Sequence, residues 1–199
     1  MMKVIKTLKS VLLFLSLLYI TFYLPMIFTI YFPTWFKVNC NWHNRCDYIG
    51  RDVSYNGIGE LNSYFLHSGE LKTRWTHKEK IHLAEVRGMF DKMFFISIIS
   101  LAVLVALYDR KTLSKVSLIN SFLILSLLVV LPFFTTFWRE IFHPLLFDNN
   151  LWINNLNDLS FYIMPRQFFK YTVALLVISC FIINILIWTI LREKKVREV

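Results

Sequence analysis

The sequence predicts an all-α membrane protein, four transmembrane helices with a small extracytoplasmic cap formed by two loops. Three observations predict it. Apolar residues make up 56% of the chain, above the roughly 45–50% of a soluble domain. The excess is gathered into four runs, 11–32, 93–108, 116–137 and 171–191. Lysine and arginine flank these runs instead of clustering on one face of a soluble fold. The net charge of +9 therefore reads as a topology signal and not as a nucleic-acid footprint.

Taken in order, the first helix covers about 8–32, with Pro25 as a candidate kink. Its apolar run is too long for a signal-peptide core, and no small-residue cleavage site follows. The first cap segment, 33–91, holds "CNWHNRC", where Cys40 and Cys46 are spaced so that a disulfide can form. An amphipathic helix near 57–67 ends at His67. The second crossing, about 92–109, is short, so its helix is expected to start upstream within "HKEKIHLAEVRGMF", 77–90. Thr76 is the expected N-cap, with Glu79 in capping-box position. The third crossing, about 115–137, contains Pro132 near its end. A second cap segment, 138–169, mixes aromatics and leucines with Asn, Asp and Pro, a pattern suited to the headgroup level. The fourth crossing, about 170–191, carries Cys180 as an apolar filler. With no internal repeat or low-complexity linker, residues 1–199 read as one integral membrane domain.

Orientation follows from the short basic segments. Lys3, Lys6 and Lys9 precede the first helix, Arg110, Lys111 and Lys115 fill the turn between the second and third, and Arg192, Lys194, Lys195 and Arg197 follow the fourth. The positive-inside rule puts all three in the cytoplasm, with both termini, and puts the cap outside.

All five histidines, His43, His67, His77, His82 and His143, fall in the cap segments, which argues against a haem held within the bundle. His43, His67 and His77 read as solvated loop residues. Glu79, His82 and Glu85 lie at i, i+3 and i+6 along one helix face. That is either a solvated charged stripe or a histidine oriented and tuned by a carboxylate among Ile81, Leu83, Val86, Met89 and Phe90. His143, between Phe142 and Pro144, has no periodicity that separates an interfacial role from a chemical one. Several chemistries lack their signatures. Glu79-x-x-His82 is half of a di-iron pattern without its second half. No zinc-protease motif, serine elbow or phosphate-cradling glycine loop occurs. One C-x5-C pair falls short of the two pairs or the C-x-x-C of quinone-linked disulfide oxidases.

Together, "IHLAEVRGMF" (81–90) and "FHPLLFDNNLWINNLNDLSFYIMPRQFF" (142–169) resemble the two signature segments of the bacterial lipoprotein intramolecular transacylase family. In that family the first segment reads His-Met-x-Asp-Val-Lys. The second reads Phe-His-x-x-x-Phe, then Asp or Asn, Trp, Asp-x-Leu and a Pro with trailing aromatics. The resemblance implies that His82 and His143 are the catalytic pair. It assigns supporting positions to Glu85 (usually Asp), Arg87 (usually Lys), Asp148, Trp152 and Asp158, and matches Pro165. Leu83 stands where Met is common, and 33–75 matches only loosely. The implied substrate is a diacylated lipoprotein in the membrane lipid: the α-amino group of its diacylglyceryl-cysteine takes the sn-2 acyl chain, leaving an N-acyl, S-monoacylglyceryl lyso-form. Ester to amide is downhill, so no cofactor, metal or ATP is implied, nor any nucleic-acid partner. Two other readings compete: a non-catalytic envelope protein that binds a lipid or a partner, and a metal-dependent hydrolase.

Overall fold

The structure is a computed structural model and describes residues 2–192. Lys194, Lys195 and Arg197, used above for orientation, lie outside them. The described residues form helices joined by short connections: α1 (Met2–Tyr31), α2 (Pro33–Trp42), α3 (Arg45–Tyr48), α4 (Arg51–Phe65), α5 (His77–Ala106), α6 (Arg110–Ser126), α7 (Phe134–Thr136), α8 (His143–Leu146), α9 (Leu159–Ile163) and α10 (Arg166–Leu191). Four helical stretches are long and apolar enough to cross a membrane: Val4–Tyr31, His77–Ala106, Arg110–Leu146 and Arg166–Leu191. The protein is a multi-pass all-α membrane protein.

The third stretch, Arg110–Leu146, is not a regular α-helix. After α6 it tightens into 3₁₀ geometry over Leu127–Phe133, returns to α in α7, widens to π geometry over Phe137–Phe142, and closes with α8. Two prolines account for the irregularity. Pro132 and Pro144 lack an N–H, so each removes one rung of an i→i−4 ladder and crowds the preceding turn. The 30-residue α5 is about 45 Å long, whereas the hydrocarbon layer is only about 30 Å thick. The helix is longer than a crossing needs, and its charged residues are gathered in the first turns, 77–92.

The chain divides into two compact units. Of the described residues, one unit comprises 2–25, Met93–Leu128 and 175–192. The division on α5 falls between Lys92 and Met93, where charge gives way to the apolar run. In this unit Leu13, Leu17, Leu113 and Val116 form the buried apolar cluster. Small polar groups link its helices, as expected where apolar contact alone gives little driving force. Asn184 donates to Thr21 Oγ1 at 2.9 Å, Cys180 Sγ to the Thr21 carbonyl, and Tyr19 Oη to the Met93 carbonyl at 2.7 Å. Asp109 caps α6 by accepting from the Thr112 N–H.

The other unit comprises Met26–Lys92 and Val129–Ala174. Its core gathers Phe36, Ile58, Leu61, Phe65, Trp75, Leu83, Leu159, Ile163 and Phe168. Gly57 lets α4 approach α9 closely, since a Cβ there would meet Leu159 Cδ2 at 2.6 Å. Cys40 and Cys46 form a disulfide. Ser54 Oγ donates to the Cys46 carbonyl, which ties the bridged turn to α4. The loop before α5 is held by Glu60, whose carboxylate accepts from the Lys72 and Thr73 N–H groups, Thr73 Oγ1 and Trp75 Nε1. Burial would raise the Glu60 pKa, but these donors outweigh it and hold the carboxyl below its ordinary value.

Candidate active site

The first turns of α5 carry three of the expected polar residues. Thr76 and Glu79 form the capping box: Glu79 Oε2 accepts from the Thr76 N–H at 2.8 Å, and Thr76 Oγ1 accepts from the Glu79 N–H at 3.3 Å. Glu79 does more than cap. Its side chain is 2% exposed, and Oε1 accepts from both the N–H and the hydroxyl of Ser160 at the start of α9. It therefore leaves the solvated stripe expected of it and becomes a buried tie between α5 and α9.

His82 lies one turn further on, 16% exposed, with its Nδ1 3.4 Å from Glu85 Oε2. A carboxylate only accepts, so Nδ1 carries the proton in the neutral ring and Nε2 holds the free lone pair. Glu85 is fixed from behind, because Asn149 Nδ2 donates to its Oε1 at 2.7 Å. Asn149 in turn accepts from the Leu151 N–H at 3.0 Å, closing an Asx turn.

His143 arrives from a different part of the chain. The π stretch ends on it, and the Trp138 carbonyl accepts both its backbone N–H and, at 2.7 Å, its Nδ1–H. Here too Nε2 is left free. A single-turn π insertion shifts the register of the residues after it and is common at functional sites; Pro144 follows immediately. His143 is buried. It stacks on Trp152 with ring centroids 4.2 Å apart and meets Trp138 edge-on at 4.6 Å.

The two histidine rings lie 6.5 Å apart, centroid to centroid. Phe147 touches both, at 4.7 Å from His82 and 5.9 Å from His143. The approach expected across 61 positions of sequence (143 − 82 = 61) is present. Burial pushes the His82 pKa below the ordinary histidine range; the hydrogen bond and charge of Glu85 oppose this, and the charge of Lys78 adds to it. Burial also lowers His143, against the Trp138 carbonyl and with the charge of His82. Beside Trp152 a cavity of about 240 Å³ is lined by Pro144, Phe147, Asp148, Asn149, Asn150 and Trp152.

The remaining expected site residues divide. Asp148 and Trp152 are at this cavity. Asp158 is elsewhere: 2% exposed, it accepts from Lys78 Nζ at 2.5 Å, Thr76 Oγ1 at 3.0 Å and the Asn155 N–H at 2.7 Å. It holds the 150s loop on the start of α5. Arg87 lies over the Tyr64 ring at 4.1 Å. Of the histidines read as solvated, His67 is half exposed and pairs with Asp91 at 2.9 Å. His43 accepts from the Arg45 N–H. Sequence reasoning missed Asn149 and the Trp138 carbonyl, whereas Phe147 is the second Phe of the Phe-His-x-x-x-Phe signature. Nothing in "FDNNLW" separates one Asn from the next, and a carbonyl leaves no mark in sequence; only Pro144 hinted at the irregular backbone. Among the described residues no three His, Cys, Asp or Glu side chains converge as metal ligands would.

A membrane-embedded all-α scaffold holding one buried and one partly buried histidine, each anchored from behind, suits a class, the integral membrane enzymes. Comparison makes it specific: the family described as lipoprotein intramolecular transacylase Lit matches residues 11–169, and the chain belongs to that family. It is an acyltransferase. The chain is similar over 94% of its length, and 94% of the other chain, to the in meso structure of the membrane integral transacylase Lit from Bacillus cereus, at 17% identity and a TM-score of 0.81. Two further structures of that protein carry a histidine replaced by alanine or by arginine. They match at 17% and 18% identity, with TM-scores of 0.76 and 0.75, over 96% of this chain and 94% and 92% of theirs. Comparison with curated proteins finds no match.

Proposed function

We propose that the chain moves the sn-2 acyl group of a diacylglyceryl-cysteine to the α-amino group of the same cysteine, with His82 and His143 transferring the protons. The observation that carries this is the pair of rings 6.5 Å apart, each with Nδ1 committed to an acceptor behind it and Nε2 free. Acid and base must both reach one tetrahedral carbon, and that spacing leaves room for it.

The proton count matches the residue count. The substrate amine arrives as an ammonium with three N–H protons, and the amide product keeps one. Of the two it loses, one goes to the glycerol oxygen and one to solvent. His143 Nε2 takes the first and so becomes a donor. The neutral amine attacks the sn-2 carbonyl, the N–C bond forms, and His82 Nε2 takes the second proton. The C–O bond to glycerol breaks as His143 returns its proton to the alkoxide. Glu85 stabilises the imidazolium formed on His82, as a carboxylate does behind a histidine base. Donor and acceptor belong to one molecule, so holding it bent replaces a covalent acyl-enzyme. Each positioned acid or base supplies about 10²–10⁴-fold, roughly 3–5 kcal/mol of barrier.

The site lies on the extracytoplasmic face with both termini in the cytoplasm. The basic first turns of α6, with Arg110, Lys111 and Lys115, support this, as does the Cys40–Cys46 disulfide, a bond that persists in oxidising compartments. Mass spectrometry of a lipoprotein's N-terminal peptide, with and without the protein, tests the reaction. The expected result is an acyl chain moved from glycerol to nitrogen at constant mass; no movement overturns it. In intact cells an impermeant thiol reagent is expected to label Ser68→Cys, and to label Lys115→Cys only after permeabilisation.

A further inference from the structure

We propose that Asn149 is a positioning residue for the reaction: its amide fixes the Glu85 carboxylate so that one oxygen faces the Nδ1 of His82. This rests on the reading of His82 as the base. Glu85 is 35% exposed and sits at the end of three rotatable bonds. Its contact with His82 is long, at 3.4 Å, and cannot by itself hold a half-exposed side chain in one rotamer. The 2.7 Å bond from Asn149 Nδ2 to Oε1 supplies the missing constraint. Neither Arg87 nor Asp158 does so, since their contacts lie with Tyr64 and with Lys78, Thr76 and Asn155.

The anchor is itself anchored. Asn149 Oδ1 is held by the Leu151 N–H, one residue before Trp152, which stacks on His143. One short loop, Phe147–Trp152, therefore touches His82 through Phe147, backs His82 through Asn149 and Glu85, and packs on His143 through Trp152. It sets both rings from one element. The charged and titratable groups around His82 are Glu85, Lys78 and His143. Of these Glu85 is the one the loop holds by a hydrogen bond, and it is the one that favours the protonated ring.

The test uses the full-length protein in lipid and the acyl-shift assay. Asn149→Ser keeps a hydroxyl that can accept from the Leu151 N–H, so the turn survives, but it is too short to reach Glu85. The expected result is a kcat loss of about 10–100-fold with KM little changed. The acid limb of kcat/KM should move to lower pH, because His82 loses a fixed negative neighbour. In a Glu85→Gln background Asn149→Ser should add little. Full activity and an unmoved acid limb in Asn149→Ser would overturn the proposal. So would a loss of the same size in the Glu85→Gln background, which would mark a merely structural loop residue. If His82→Ala itself retained activity, the underlying reading would fail instead.

Discussion

Glu79 and Glu85 stand six residues apart on one helix and have opposite fates. Glu79 is buried and accepts from the Thr76 N–H and from the N–H and hydroxyl of Ser160, and it shares the one Thr76 hydroxyl proton with Asp158. Its carboxylate has no capacity left for chemistry. Glu85 is half-buried and makes one short bond to Asn149 and one long contact to His82. The saturated acid is part of the scaffold, and the acid left with capacity sits behind the His82 ring. The same contrast separates Asp158, saturated by Lys78, Thr76 and Asn155, from Asp148 at the cavity wall. Degree of satisfaction, more than residue type, sorts the site from its support.

His82→Ala and His143→Ala are each expected to abolish acyl transfer, by 10²-fold or more, with thermal unfolding near wild type. The double variant should be no worse than either single, since groups acting as a unit are strongly non-additive. Wild-type kcat/KM should fall as the rings protonate. Because burial lowers both pKa values, the neutral rings persist, and activity is expected to hold, to a lower pH than a free histidine near 6.5 allows.

Glu79→Ala leaves buried donors on Thr76 and Ser160 without an acceptor. It is expected to destabilise the fold by roughly 3 kcal/mol, read as a lowered melting temperature, with activity per folded molecule retained. Activity lost at unchanged stability would end the division between the two acids. Glu85→Gln is the converse: about a 10–100-fold fall in kcat and little change in melting. Smallest is His67→Ala, which removes an exposed pair with Asp91 worth about 0.2–1 kcal/mol and should leave the reaction untouched.

Much of this was legible in the chain. The four apolar runs, the Thr76–Glu79 box and the upstream start of α5 follow from hydropathy and local capping, which depend on neighbours within a few residues. The pairing of His82 with His143 was reached through resemblance and then by chemical need, not by periodicity. Asp158 and Arg87 were read from the same signature as the histidines, yet they bind partners away from them. A signature marks which residues belong together in sequence, and it does not distinguish a side chain that holds the loop from one that faces the substrate.

The residues alone place the four apolar crossings and the membrane class, because a backbone in lipid must satisfy its own hydrogen bonds and apolar length decides where it can cross; the short helices α2, α3, α8 and α9 were not foreseen in segments read as loops. Which carboxylate is saturated, which nitrogen of each ring is free, and that Asn149 stands behind Glu85 emerge from the packed fold. Those facts depend on donors that come from 64 (149 − 85 = 64) and 81 residues away and on a π-turn carbonyl at Trp138. Hydrogen bonds are directional and short-ranged, so their assignment waits on the positions that packing alone fixes.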